Sequence, residues 1–196
     1  TRGQAMQKAV PVGVGAMAAL LGLDLDQAQE VAGEATVNGE ICAAANDNAP
    51  GQVVVSGHKA AVERAIALAK TKGAKRALML PVSAPFHCPL MKPAADVMAD
   101  ALSKVTVKSP VVPVVANVTA STVIDPDEIR RLLVEQVTAL VRWRESVHMM
   151  KDAGVTQLIE CGAGKVLSGL TKRIDGDLTG VSLQSPQDIE AFIKNA

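Results

Sequence analysis

Between residues 13 and 82, apolar and polar positions recur with two different periods. The small apolar run Gly15 to Leu21 predicts a strand. Ala28, Val31, Ala32 and Ala35 then fall on one helical face, and Asp26 is expected to cap that helix with Gln29 in the capping-box position. Ile41 to Ala45 predicts a second strand, Asn46 to Gln52 a turn rich in Asn, Pro and Gly, and Val53 to Val55 the start of a third strand. Val62, Ala65, Ile66 and Ala69 mark a second helical face, closed by Gly73 after Lys70 and Lys72. Ala77 to Val82 predicts a fourth strand. The order β-α-β-β-α-β is that of the ferredoxin-like split unit.

After His87 the pattern changes. Lys92 to Leu102 is helical by its stripe of Ala95, Met98, Ala99 and Leu102. Val111 to Val115 is an apolar strand whose Pro113 argues for an edge or an irregular strand. Asp125-Pro126-Asp127-Glu128 reads as a helix start, with a cap, a proline in the first turn and acids near the positive end. Ile129, Leu132, Leu133 and Val137 set the buried stripe of that helix, and Gln136 falls on it too. Val155 to Glu160 predicts a strand, followed by a glycine turn and a helix from about Lys165. Val181 to Leu183 predicts a last short strand before a terminal helix. Such alternation predicts an α/β layer with helices covering a largely parallel sheet.

A chain of 196 residues supports one domain or two small ones. Hydrophobic residues make up 48% and aromatic residues 2%, so the core is expected to be built from Val, Leu, Ala, Ile and Met. A net charge of +0 gives no bulk attraction to nucleic acid. No apolar run approaches the ~20 residues a membrane span needs, so no membrane partner is expected. Cys42, Cys88 and Cys161 are far apart and odd in number, and read as reduced thiols of a cytoplasmic protein. His58 and His148 lack ligand-spaced partners, so no metal site is expected.

The stretch Pro81-Val-Ser-Ala-Pro-Phe-His87-Cys-Pro-Leu-Met91 holds the strongest chemical candidate. Pro85 and Pro89 stiffen a loop that presents one imidazole, and a positioned histidine suits general-base work near neutral pH. From the loop alone, a general base and a capping or surface histidine fit equally well. Cys161 lacks the flanking glycines of a nucleophile elbow, since Ile159 and Ala163 stand there. Gly162-x-Gly164-Lys165 fails the phosphate-loop spacing, because residue 159 is Ile and residue 166 is Val.

Five ordered blocks resemble the malonyl-CoA:acyl-carrier-protein transacylases. They are the His87 loop, Arg2-Gly-Gln-Ala-Met6-Gln7, Asn46-Asp-Asn48-Ala-Pro50-Gly-Gln52-Val-Val-Val-Ser-Gly57, Pro113-Val-Val-Ala-Asn117-Val-Thr, and Gly162-Ala-Gly-Lys165-Val-Leu-Ser-Gly169-Leu-Thr-Lys-Arg173. The resemblance implies a ferredoxin-like small subdomain over residues 13–82. Residues 1–12 would then be a remnant of a large-domain helix, and residues 83–196 the C-terminal part of a large α/β-hydrolase-like parallel-sheet domain. The family's nucleophile is a serine in a Gly-x-Ser-x-Gly elbow, and no such motif occurs in these residues. With its opening at Thr1, the chain is expected to be the C-terminal two-thirds of such an enzyme and inactive by itself.

By resemblance, His87 is the base and a backbone carbonyl near Gln136 orients it. Arg2 would bind the malonyl carboxylate, and Met6 and Phe86 would line the acyl pocket. Phe86 before the base accompanies malonyl preference in related polyketide acyltransferases. Lys165, Lys172 and Arg173 would steer the acidic acyl carrier protein, although a solvated face explains them equally well. Malonyl-CoA is then a substrate, no cofactor is bound, and the complete protein is expected to be a monomer. The alternatives are an acyltransferase domain of a polyketide synthase and a non-catalytic module that binds acyl carrier protein.

Overall fold

In the computed structural model, which describes residues 1–195, the two periods of the first half resolve into one four-stranded antiparallel sheet with a pair of helices on one face. A short helix, α1 (Arg2–Ala9), precedes it. The sheet unit then runs β1 (Gly15–Leu21), α2 (Leu25–Ala35), β2 (Cys42–Ala49), β3 (Gln52–His58), α3 (Lys59–Thr71) and β4 (Arg76–Met79). The strand order β2-β3-β1-β4, with β1 central and flanked by antiparallel partners, is the ferredoxin-like arrangement.

The apolar faces of α2 and α3 close on this sheet. Ala28, Val31, Ala32 and Ala35 of α2 meet Val62, Ala65 and Ala69 of α3 over Ala18, Leu20, Val53 and Val55. Val31, Val53, Val55 and Val62 are fully buried, each stabilising the fold by about 1.5–3 kcal/mol. Alanine at so many contacts lets the helices lie close to the strands, which suits a core almost without aromatic rings.

Local signals were displaced in two places. The cap of α2 is Asp24, not Asp26: its side chain accepts from Gln27 N at 2.8 Å, and Gln27 Oε1 accepts from Asp24 N at 3.0 Å. Leu23, fully buried just before it, ends the sheet-facing path, and Asp26 sits in the first turn where the helix dipole favours an acid. The Asn-rich segment is not a turn from Asn46. β2 continues to Ala49 with a bulge between Ala44 and Asn46, and the reversal is confined to Pro50-Gly51. Main-chain pairing overrides composition here, because Asp47 N donates to Val141 O and Val141 N donates to Ala45 O, both at 2.9 Å.

By compactness the chain divides into Thr1–Trp143 and the residues from Arg144 onward. The first unit also holds α4 (Lys92–Ser103), an antiparallel hairpin of β5 (Val114–Ala116) and β6 (Ser121–Val123), and α5 (Pro126–Glu135). β5 begins only after Pro113, as a ring without N–H requires. The second unit contains α6 (Trp143–Asp152) from its second residue, the parallel pair β7 (Gln157–Cys161) and β8 (Thr179–Leu183), the crossover helix α7 (Val166–Ile174), and α8 (Pro186–Asn195). The periodicity did not show α1, the single 3-10 turn Pro89–Met91, the three-residue β6 or α6. Ala196, the last residue of the range 83–196, lies outside the described residues. No helix among them is long and apolar enough to cross a membrane.

Gly57 and Gly33 make opposite predictions. A Cβ on Gly57 would lie 2.0 Å from Ile41 O and 2.8 Å from Cys42 Cα, both main-chain atoms that cannot give way. Gly57→Ala should therefore destabilise by at least about 1–3 kcal/mol. Gly33, in α2, has nothing within 4 Å, so Gly33→Ala should stabilise by about 0.5–1 kcal/mol. Urea unfolding of both variants checks this; equal shifts of one sign would contradict it.

Candidate active site

The His87 loop is clamped from both sides. Pro85 is buried against β1, where a Cβ on Gly15 would lie 2.3 Å from Pro85 Cγ, so only glycine lets the ring pack there. Cys88 is buried as well, and its Sγ donates to Pro85 O at 3.1 Å. Between these anchors His87 has φ +56°, the left-handed region that non-glycine residues seldom adopt, although histidine is enriched there several-fold. Such a conformation costs on the order of 1–3 kcal/mol and persists only where the surroundings fix it.

The ring reaches the end of α5. Asp125 caps that helix by accepting from Glu128 N at 2.8 Å, with Pro126 in its first turn. The helix stops at Glu135, and Gln136 is its C-terminal cap. Carbonyls at a helix C-terminus have no helical partner, and His87 Nδ1–H donates to Gln136 O at 3.0 Å. That bond assigns the proton to Nδ1 and leaves the lone pair on Nε2. The Gln136 side chain does something else. Its Nε2 donates to Ala139 O at 3.2 Å and tightens the turn, while its 3.5 Å approach to His87 Nδ1 sets donor against donor. The stripe expected for α5 is also narrower than its sequence implied: Leu132 and Val137 are buried, but Leu133 is exposed.

Burial pushes the His87 imidazole below its ordinary value of 6.5. The carbonyls of Gln136 and Ala139 oppose that shift, and the positive charge of Arg2 reinforces it. Arg2 is exposed at the start of α1. A hydrogen bond of 2.6 Å from Gln7 Nε2 to Ser83 Oγ ties α1 to the His87 loop, and Ala5 and Met6 pack with Ala94, Ala95 and Met98 of α4. Met6 is buried in that cluster. Phe86 is half-buried and packs both there and against Met17, Ala45 and Val54 on the sheet face opposite α2 and α3. The structure thus brings His87 onto the Gln136 carbonyl, with Phe86 and Met6 in one apolar cluster, while Arg2 acts on the ring only through its charge.

In the second unit Lys165, Lys172 and Arg173 are all exposed, with Lys165 capping α7 and the other two in its last turn. About 10 Å of helix separates the two ends. The N-terminus of α7 already holds an internal anion. Glu160 accepts from Leu167 N at 3.2 Å and from Ser168 N and Oγ at 2.8 Å, and these bonds lower its pKa. A phosphate loop would need that space for its ligand.

Sequence reasoning missed Gln7, Ser83 and Ala139, whose contributions come from contacts distant along the chain or from main-chain atoms. His58 accepts from Ile41 N through Nδ1 at 2.9 Å, which makes it part of the sheet framework. The three cysteines are free, and no group of three or more metal-ligating side chains occurs among the described residues.

No protein-family model matches the chain. It is 51% identical over 193 residues to the malonyl CoA-acyl carrier protein transacylase of Escherichia coli (strain K12), covering 98% of this chain and 62% of that protein. Its identity to the transacylase of the same name from Bacillus subtilis (strain 168) is 44% over 193 residues, covering 98% and 61%. The crystal structure of acyl-carrier-protein S-malonyltransferase from Burkholderia pseudomallei 1710b superposes with a TM-score of 0.93 at 53% identity, covering 98% of this chain and 62% of that one. A type II polyketide acyl-carrier protein in complex with its malonyl-transacylase gives a TM-score of 0.94 at 44% identity, covering 100% and 63%. The chain spans about 62% of the length of the curated relatives it matches.

The depressed His87 value has a stability consequence. Between the folded value and 6.5 the unfolded chain binds more protons, so this contribution is complete above 6.5 and is lost as pH falls through that window. His87→Asn keeps a residue that tolerates left-handed φ but does not titrate there. The stability of the wild type relative to His87→Asn should therefore decline between about pH 8 and pH 5. Chemical unfolding of both proteins across that range checks the slope; a relative stability that rises on acidification would contradict the burial of a neutral ring.

Proposed function

We propose that this chain supplies the general base and the carboxylate-recognising arginine of a malonyl CoA-acyl carrier protein transacylase. The reaction moves a malonyl group from the thioester of malonyl-CoA to the phosphopantetheine thiol of acyl carrier protein. One observation carries the reading: His87 donates through Nδ1 to the Gln136 carbonyl at 3.0 Å, which leaves Nε2 as a proton acceptor. The relatives' shared activity supports it.

No Gly-x-Ser-x-Gly occurs in the 196 residues, so the nucleophilic serine is assigned to the part of the relatives that this chain does not cover. In the first half-reaction the serine oxygen attacks the thioester carbonyl while His87 Nε2 takes its proton. The tetrahedral adduct then breaks its C–S bond, and the imidazolium returns the proton to the departing coenzyme A sulfur. In the second, Nε2 takes the proton of the carrier's thiol, sulfur attacks the seryl ester, and the serine oxygen leaves with that proton. A carbonyl suffices as the orienting group, since the ring needs an acceptor at Nδ1 rather than a second titrating acid.

Arg2 matches the other end of the substrate. A guanidinium can hold the malonyl carboxylate through two parallel hydrogen bonds. Phe86, with Met6 in the same apolar cluster, would form the wall behind the acyl group. Lys165, Lys172 and Arg173 present positive charge to an acidic carrier, which speeds encounter more than it adds affinity.

Two measurements test the proposal in an enzyme that contains the serine. His87→Ala should lower turnover by about 10²–10⁴-fold with little change in malonyl-CoA binding. A loss below about tenfold would overturn the base assignment. Arg2→Ala should reduce the malonyl-to-acetyl ratio of kcat/KM by roughly two orders of magnitude, because unpairing a desolvated charge costs about 2–5 kcal/mol and acetyl has no charge to unpair. Arg2→Lys should recover only part of it. An unchanged ratio would move the carboxylate contact away from Arg2.

A further inference from the structure

Cys88 follows the base in sequence but turns away from it, into the sheet. It is fully buried, and its thiol donates to Pro85 O at 3.1 Å, closing a turn with His87 inside it. Beneath the sulfur lies Ser56 of β3, also fully buried, whose Oγ has no hydrogen bond of good geometry and faces the Cys88 thiol. The Cys42 thiol of β2 is close enough to interact with it electrostatically.

We propose that Cys88 is a positioning residue, whose bond to Pro85 O, seated on Ser56, holds His87 in its left-handed conformation and so keeps Nδ1 on the Gln136 carbonyl. Main-chain bonds lie on either side of His87, from Phe86 N to Ala84 O at 3.1 Å and from Met91 N to Cys88 O at 3.0 Å, but the thiol's bond to Pro85 O is the one that spans it. Pro85 is pinned to β1 over Gly15, Cys88 is pinned over Ser56 of β3, and the residue at φ +56° between them sends its ring to the Gln136 carbonyl. Releasing either pin lets the backbone return to the commoner region of negative φ, which would swing the ring off its acceptor. Burial keeps the Cys88 thiol protonated, so it stays a donor throughout the neutral range.

This inference rests on His87 being the base, yet it is tested on the ring itself, without turnover. The chain has three histidines, so ¹⁵N-labelled imidazole resonances can be assigned one by one in the 196-residue protein. In the wild type His87 should be an Nδ1–H tautomer at neutral pH, with a titration midpoint below that of an ordinary histidine. Cys88→Ala should shift the ring toward the Nε2–H form that free histidine favours. Its midpoint should rise, because a released ring regains solvent and moves away from the charge of Arg2. Cys88→Ser, which keeps a donor at the same place, should restore tautomer and midpoint together. If Cys88→Ala does not fold, Cys88→Val fills the space and still lacks the donor. An Nδ1–H tautomer and an unchanged midpoint in the apolar variant would overturn the proposal. So would a shift that Cys88→Ser fails to reverse, since sulfur's bulk rather than its hydrogen bond would then be holding the ring. Loss of the transacylase reading alone would leave these resonances unaffected.

Discussion

The hydrogen bond from His87 Nδ1 to the Gln136 carbonyl is the constraint around which the first unit is arranged. A helix C-terminus offers carbonyls without partners, and the negative end of its dipole favours positive charge. An imidazole docked there is oriented and, once protonated, stabilised. A main-chain acceptor cannot change protonation state, so the tautomer of the ring does not depend on a neighbouring acid. Reaching that carbonyl requires a backbone conformation that histidine adopts seldom, and the two buried neighbours of the loop offset its cost.

The fold was legible wherever small apolar residues recurred with a single period. The stripes of α2 and α3 are buried as their spacing implied, and β1 runs over the residues expected. Legibility failed where long-range pairing outweighed local composition. Asn46, Asp47 and Asn48 look like a turn, yet Asn46 and Asp47 pair with β3 and Asp47 N donates to Val141 O. α6 was legible in principle, since Trp143, Val147 and Met150 recur at i, i+4 and i+7, but its stripe is only three residues long.

The candidate site was legible only in part, for a related reason. His87 stood out because prolines bracket it. Gln136 drew notice as a polar residue on an apolar stripe, although its carbonyl makes the contact to His87 and its amide serves the turn. Cys88 read as an ordinary structural thiol, since nothing in its neighbours shows that its sulfur folds back three residues. Arg2 and His87 are 85 positions apart, and no local pattern announces that the charge of one lowers the proton affinity of the other.

The link between β2 and the segment after α5 adds a mechanical property. Val141 is bonded at both its N–H and its C=O to β2, through Ala45 and Asp47, five residues beyond the carbonyl that receives the ring. The ring, for its part, hangs from a loop braced on β1 and β3. Donor and acceptor are therefore suspended from one sheet. Vibration, bending or slow breathing of that sheet carries both ends of the bond in the same direction. The separation of ring and carbonyl is insulated from such motion, much as two instruments bolted to one bench stay aligned when the floor shakes.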